Sequence, residues 1–311
     1  MRFPLRPFDH VPHVDFMRAR QFWIWSSFIC VLLACLLLGV RGLNYGIDFV
    51  GGKMVEVRTA QAIPVGEVRE AVDGAGFSGS LIQQYGTPND FLIRLPGNNP
   101  ATQKSTAETT LVATLGKVTG GTVELRRVEF VGPQVGQELR MKGLMAVVVS
   151  ILAILAYVWV RFEFRYGLGA ILSLVHDVIL TIGVLSLVHM EITLTVLAAI
   201  LTLIGYSLND TIVIFDRIRE NRARYPNKPL AEVLNLSVNQ TLGRTFMTVS
   251  TVVLVLVALL GWGGEVIYDF ALTLIVGTVL GTYSSVFVAS PVLLLLEEYY
   301  QKMLRDKAAA K

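Results

Sequence analysis

Six long apolar stretches divide the chain, and a mixed polar stretch of about 100 residues separates the first from the second. A helix needs about 20 mostly apolar residues to cross the hydrocarbon core of a bilayer. The windows that qualify are residues 22–40, 143–160, 168–189, 192–215, 246–264 and 267–296. The pattern therefore predicts six transmembrane helices, with one folded domain at 41–142 between the first two.

The polar stretch at 41–142 alternates between strand and helix periodicity. The predicted elements are strands at 53–59, 81–85, 91–95 and 122–130, and helices at 65–75 and 102–117. This order is that of the ferredoxin-like split βαβ motif, so we expect a small α+β domain. The stretch contains neither Cys nor His, which argues against a metal site. A module for docking or substrate contact is the expected role, since the fold alone does not set function.

Basic residues cluster at alternate ends of the predicted spans. They are Arg2, Arg6, Arg18, Arg20, Arg161, Arg165, Arg217, Arg219, Arg222, Arg224, Lys228, Lys302, Arg305, Lys307 and Lys311. The opposite turns, at 189–191 and 263–265, carry no Lys or Arg. The positive-inside rule then places both termini in the cytoplasm and 41–142 outside. It predicts a cytoplasmic segment at 1–21, a basic loop at about 217–243 and a tail at 297–311.

Composition supports a membrane protein and excludes some other classes. Of the 311 residues, 53% are hydrophobic and 16% charged, against about a quarter charged in soluble domains. A net charge of +3 is too small to indicate nucleic-acid binding. Cys30 and Cys35 are five residues apart in one apolar window, so no disulfide is expected. The first window is too long for a signal peptide and lacks a cleavage site.

Several charged residues lie inside the predicted spans, where a charge is costly and marks function by default. His176 and Asp177 lie near the middle of the third span. Asp210 in the fourth span is surrounded in sequence by Tyr206, Ser207 and Asn209. The residues of the third span also have a structural interpretation, in which the two side chains pair with neighbours and hold helices together.

Asp210 and Arg244 lie at comparable depth, counted from the cytoplasmic ends of the fourth and fifth spans. One hypothesis is a static ion pair between them. The alternative is a pair that forms and breaks as Asp210 takes up and loses a proton, because apolar surroundings and a nearby Arg act oppositely on a carboxyl group.

Other chemistries lack their motifs. No G-x-x-x-x-G-K-[ST] phosphate loop is present, and no H-E-x-x-H zinc motif. Two aspartates in neighbouring spans are also a feature of intramembrane aspartyl proteases. That class resembles Tyr-Asp plus Gly-x-Gly-Asp, whereas this chain has His176-Asp177 and Asn209-Asp210. We therefore expect a protein that is not an enzyme.

Four sequence blocks resemble the SecD/SecF family of protein-export membrane proteins, in the expected order and across nearly the whole chain. They are GIDFVGG at 46–52, GPQVGQEL at 132–139, GYSLNDTIVIFDRIREN at 205–221 and NQTLGRT at 239–245. The third block is closer to the SecF branch than to SecD. Val50 stands where many SecF chains have Thr.

The resemblance implies half of a resistance–nodulation–division transporter in the bacterial inner membrane, with a periplasmic domain at 41–142. SecD would supply the other half, and SecYEG and YajC would be further partners beside membrane lipid. Protons, without another cofactor, would drive release of unfolded preproteins. By position, Asp210 and Arg244 match the proton path, and Asp177, His176, Tyr206 and Asn209 are further candidates. Gly51, Gly52, Gly132 and Gly136 fit hinges of the outer domain.

Two competing functions stay open at this stage. One is a proton-driven exporter of small molecules or lipids, the commoner use of this superfamily. The small outer insert argues against it, because such an exporter needs a large outer pocket. The other is a passive scaffold whose membrane charges are inert.

Overall fold

The computed structural model describes residues 13–84, 86–97, 99–161 and 164–309. In chain order the elements are α1 (Arg20–Arg41), β1 (Asn44–Tyr45), α2 (Ile47–Val50), β2 (Gly52–Thr59), α3 (Val65–Gly74), β3 (Leu81–Gln84), β4 (Asp90–Pro96), α4 (Pro100–Gln103), α5 (Ala107–Thr119), β5 (Val123–Val131), α6 (Pro133–Arg161), α7 (Phe164–Leu187), β6 (Glu191–Ile192), α8 (Leu194–Arg224), α9 (Leu230–Trp262), α10 (Glu265–Ser284), a π-helical turn (Ser285–Ala289) and α11 (Ser290–Ala309). Arg2, Arg6, Tyr85 and Lys311, which the sequence predictions used, lie outside the described residues.

Within the described part of the chain, six helical stretches are long and apolar enough to cross a membrane. They are α1, α6, α7, α8, α9 and the continuous stretch from α10 to α11, so the prediction of six spans is confirmed. The helices run beyond the apolar windows. For example, α9 begins at Leu230 because Val233, Leu234 and Val238 are buried on the bundle before the apolar window begins.

The chain divides into two compact units. Tyr45–Ala146 and Ile192–Leu194 form one unit, which we call the α/β domain. The remaining described residues form the other, the helical bundle.

The α/β domain contains a four-stranded antiparallel sheet in the order β3-β4-β2-β5. Read along the chain, this is the ferredoxin-like arrangement that the sequence predicts. Alternate residues of the two central strands, such as Val55, Val57, Phe91 and Ile93, are fully buried with residues of α3 and α5. The period-2 pattern of each central strand therefore forms one face of the core.

The single helix predicted at 102–117 is wrong, because the chain forms two helices there. Lys104 adopts an extended conformation with φ −70° and ψ 142°, and it separates α4 from α5. Its carbonyl accepts a hydrogen bond from the buried Lys53 Nζ at 3.1 Å, and the same ammonium pairs with Glu108 at 2.8 Å. Satisfying the buried Lys53 charge thus explains the break in the helix.

In the bundle, α7, α8 and the stretch from α10 to α11 are the most enclosed spans, whereas α1, α6 and α9 are largely exposed. The four-residue spacing of Gly277, Gly281, Ser285 and Ala289 predicts a seam of small residues for close helix packing, and α10 packs closely on α8 at the first two. A Cβ at Gly277 would lie 2.5 Å from Leu203, and one at Gly281 would lie 3.0 Å from the Ser207 Cβ. Cys30 and Cys35 are free and exposed.

Candidate functional site

A cluster of polar side chains surrounds Asp177 in the middle of the bundle. Its Oδ1 is 2.9 Å from His176 Nδ1, and its Oδ2 accepts hydrogen bonds from Ser207 at 2.5 Å and Ser284 at 2.7 Å. Ser173 donates to Ser284 at 2.9 Å. All five residues are buried. The cluster joins α7, α8 and the end of α10 through one carboxylate, so Asp177 holds three spans together.

The His176 ring faces an aromatic neighbour. It stacks on Tyr283 with ring centroids 6.2 Å apart, and the Tyr283 hydroxyl lies 2.9 Å from Ser27 Oγ on α1. His176 Nε2 is buried and has no hydrogen-bond partner among the described residues. The ring is therefore fixed on one edge by Asp177 and on one face by Tyr283.

Asp210 lies on α8 one helical turn after Ser207, and its surroundings differ from those of Asp177. The residue is 4% exposed, and within the described part of the chain its Oδ2 has no hydrogen-bond partner. Arg244 on α9 is near enough for its charge to act on Asp210, yet no ion pair within 4.0 Å joins the two among the described residues. The static ion pair considered from the sequence is therefore not present in this structure.

Tyr206 and Asn209, the other two candidates in the block at 205–221, differ in their surroundings. Tyr206 lies near enough to Asp210 for the two to interact electrostatically, and its buried hydroxyl has no partner in the described chain. Asn209 is exposed, on a different face of α8. The structure brings Tyr206, Asp210 and Arg244 into one region and leaves Asn209 out of it.

The two buried aspartates thus differ in how well their oxygens are satisfied. Three donors occupy Asp177, which fixes it in place. Asp210 keeps an oxygen with no donor among the described residues, which is unusual because most buried polar atoms have a hydrogen-bond partner.

Three of the four predicted hinge glycines lie at close backbone approaches in the α/β domain. A Cβ on Gly51 would lie 2.7 Å from Pro133 Cα, and one on Gly136 would lie 2.9 Å from Gly51 N. Gly52 has φ +138°, and its Cβ would lie 2.4 Å from the Leu95 carbonyl oxygen. Close packing explains why glycine is required at these three positions, and hinge motion at them stays a prediction. At Gly132 the space is open, and hinge motion there stays a prediction.

Sequence reasoning missed a second charged cluster, around Glu297 on α11. This residue is 5% exposed and receives hydrogen bonds from Arg165 on α7 and, at 2.7 Å, from Arg222 on α8. Arg165 also stacks on Tyr300 at 4.4 Å. The apolar windows end before these positions, so the pattern gave no reason to join them. No group of three or more residues suited to hold a metal ion occurs among the described side chains.

Six membrane-spanning helices, a buried polar cluster in their core and one small α/β domain define a multi-pass membrane protein with charged groups in its membrane region. Residues 111–299 match the family described as "Protein export membrane protein SecD/SecF, C-terminal", and residues 36–63 match the "SecD/SecF GG Motif".

Relatives agree with these family matches. The protein translocase subunit SecF of Magnetococcus marinus is 46% identical over 295 residues, which cover 94% of this chain and 95% of that protein. The corresponding subunit of Rickettsia rickettsii is 40% identical over 291 residues, 94% of each chain. The chain belongs to the SecD/SecF family.

Solved structures show the same fold. The crystal structure of SecDF from Thermus thermophilus, described as a translocon-associated membrane protein, matches with a TM-score of 0.83 at 37% identity, over 92% of this chain and 39% of that one. SecDF in a super-membrane-facing form matches with a TM-score of 0.72 at 36% identity, over 95% and 40%. This chain therefore spans about two fifths of the SecDF chain.

Proposed function

We propose that this chain is the SecF-type subunit of the Sec protein-export machinery in the bacterial inner membrane. With a SecD-type partner it uses the proton motive force to promote late stages of preprotein passage through SecYEG, with YajC as a further partner. The observation that carries the proposal is Asp210, a buried carboxylate with an unpartnered oxygen near Arg244.

The energy available per proton suits a switch. One charge that crosses 100 mV yields about 2.3 kcal/mol. This shifts a two-state equilibrium roughly fifty-fold, at about 1.36 kcal/mol per factor of ten. One proton is enough to change the conformation of a domain, and export of a whole polypeptide requires repeated cycles.

Replacement of Asp210 by Asn tests the proposal. Asn keeps the size and hydrogen-bonding capacity of Asp but does not take up a proton at neutral pH, so we expect Asp210→Asn to assemble normally. It should lose both proton flux and the potential-dependent part of export. Export into inverted membrane vesicles, with and without an imposed potential, measures the effect.

The matched control is Asp216→Asn, the same chemical change on the same helix. Asp216 is 43% exposed and pairs with Arg161, so export should stay near wild type. A well-assembled Asp210→Asn complex with wild-type potential-dependent export would refute proton coupling and leave the passive scaffold. Potential-driven transport of a small amphipathic compound, with export unchanged, would instead favour the exporter.

A further inference from the structure

The GIDFVGG block at 46–52 contains an aspartate that the proposed function leaves without a role. Asp48, in the short helix α2, accepts a hydrogen bond at its Oδ2 from the backbone N–H of Leu194, at 2.8 Å. Leu194 is the first residue of α8. Asp48 therefore caps the helix that carries Asp210, from a position 146 residues away in sequence.

A second contact fixes the same two segments. The Gly46 N–H donates to the Ile192 carbonyl at 2.8 Å. A Cβ on Gly46 would lie 3.0 Å from Thr193 Cγ2 and 3.1 Å from the Ile192 carbonyl oxygen, so the approach is too close for a larger residue without a shift. Residues 46–48 and 192–194 are thus joined through backbone and side chain within one compact unit.

The block is also attached to the sheet of the α/β domain. Arg94 on β4 donates to the Tyr45 carbonyl at 2.9 Å, and the Arg140 guanidinium of α6 lies 4.4 Å from the Tyr45 ring centroid. Gly52 begins β2 and pairs with Pro96 on one side and Val131 on the other. The segment that contacts Leu194 is therefore hydrogen-bonded to the sheet of the α/β domain.

Helix α8 is continuous from Leu194 to Arg224. At 1.5 Å per residue, Asp210 lies about 24 Å along the axis from Leu194. An α-helix transmits an axial shift or rotation over this length because every backbone hydrogen bond lies within it. A change of charge at Asp210 that moves α8 would thus also move Leu194.

We propose that Asp48 is a positioning residue that couples α8 to the α/β domain, so that movement of α8 caused by proton uptake at Asp210 reaches the domain through the Asp48–Leu194 cap. This rests on the proposed function for its driving force. The cap itself is tested without export or a membrane potential.

Hydrogen exchange of the full chain, purified with its SecD-type partner, measures the coupling. Asp210→Asn serves as a mimic of the protonated state. In an otherwise wild-type chain it should change amide exchange within residues 44–50 about threefold or more. In the Asp48→Ala background the same change should disappear, while the loss of the cap raises exchange at Leu194 about fivefold. Asp48→Asn keeps an acceptor oxygen and should restore the response.

Asn99→Ala is the matched control. Asn99 caps α4, where its side chain accepts from the Ala101 N–H at 2.9 Å, and that helix carries no membrane carboxylate. This variant should raise exchange in α4 and leave the response to Asp210→Asn intact. The inference is overturned if Asp210→Asn has no effect on residues 44–50, or has the same effect with and without Asp48. An intact exchange response, together with export that does not depend on potential, would instead refute the proposed function.

Discussion

At the scale of single residues, the polar core of the bundle separates two tasks between two carboxylates. Asp177 is held by His176, Ser207 and Ser284, whereas Asp210 keeps an unpartnered oxygen. A carboxylate with three donors stabilises the arrangement it lies in. One with an unpartnered oxygen lacks that fixation, so under the proposed function we expect Asp210 to be the carboxylate that changes its protonation state.

Ser284→Ala tests this division of roles. The change removes one donor from Asp177 and leaves Ser173 without its acceptor, which costs about 1–3 kcal/mol when a buried group loses its partner. We expect a lower midpoint of thermal unfolding and a lower yield of complex, with normal potential-dependent export per assembled complex. Ser290→Ala is the control, because among the described residues the Ser290 hydroxyl bonds only a carbonyl of its own helical stretch. Loss of coupling at full yield would show that the Asp177 cluster belongs to the proton path.

The charged residues of the site can be predicted from the sequence, but their hydrogen-bond partners cannot. A carboxylate in an apolar window stands out at once, so Asp177 and Asp210 are found without a structure. Ser207 is close to Asp210 in sequence. Its hydroxyl nevertheless bonds Asp177, because α7 packs on the face of α8 that carries Ser207. Ser284 and Glu297 are found only when helix packing joins positions far apart in the chain.

At the scale of secondary-structure elements, the length of the apolar windows sets the number of spans, and the period-2 pattern sets the sheet. Neither pattern reveals the π-helical turn at Ser285–Ala289, where the Ser290 hydroxyl bonds the Ser285 carbonyl at 3.1 Å. Nor does either show that Glu191–Ile192 forms a strand with Asn44–Tyr45. The first is a matter of local hydrogen bonding and the second of pairing between distant segments, and hydropathy records neither.

Two glycines of the α/β domain, Gly52 and Gly132, allow the effect of close packing to be tested apart from that of hinge motion. In Gly52→Ala the new Cβ meets the Leu95 carbonyl oxygen at a backbone angle that favours glycine, so the domain should lose stability by roughly 2–3 kcal/mol or more. Gly132→Ala has open space and should leave stability unchanged. Chemical denaturation of the two variants measures the difference. If Gly132→Ala nevertheless impairs export, the hinge lies there, and equal stability losses in both would contradict the packing argument.

An ion pair between the buried Asp90 and the partly exposed Arg58 should make the α/β domain sensitive to acid. The guanidinium of Arg58 bonds Asp90 at 2.6 and 2.7 Å, and the Thr87 hydroxyl adds a third bond at 2.7 Å. These contacts, with that of Arg58 the largest, hold the pKa of Asp90 well below its usual range despite burial. A carboxyl with a lowered folded-state pKa contributes stability above the unfolded value of about 3.9 and loses it as the pH falls toward the folded value.

Asp90→Asn should therefore weaken the domain by roughly 2–3 kcal/mol at pH 7. The difference from wild type should shrink as the pH is lowered below about 4. Hydrogen exchange of the Phe91 and Ile93 amides, both in the domain core, measures it between pH 7 and 3. A difference that is constant across this range would show that the charge of Asp90 contributes nothing.

At the scale of the whole molecule, one surface of α9 carries polar side chains that the described part of the chain does not cover. Arg244 is exposed and Thr248 is partly exposed on α9, in a region long and apolar enough to cross a membrane. A charged side chain that faces lipid is costly, so such residues normally face protein or a water-filled cavity. Of the described partners, Thr248 reaches only the Arg244 carbonyl, at 2.9 Å. We expect a SecD-type subunit to cover this face.

Site-directed cross-linking tests which surface the partner covers. Cys30 and Cys35 are free and exposed, so both are first replaced by Ala. A Cys introduced by Thr248→Cys should then cross-link to the SecD-type subunit in native membranes, while Leu33→Cys on α1, 58% exposed, should react only with a lipid-soluble reagent. Arg244→Ala should lower the yield of the stoichiometric complex, because the covered arginine loses its role in the interface. A cross-link at Leu33→Cys with none at Thr248→Cys would place the partner against α1, and Arg244 would then have to face a water-filled cavity within the membrane.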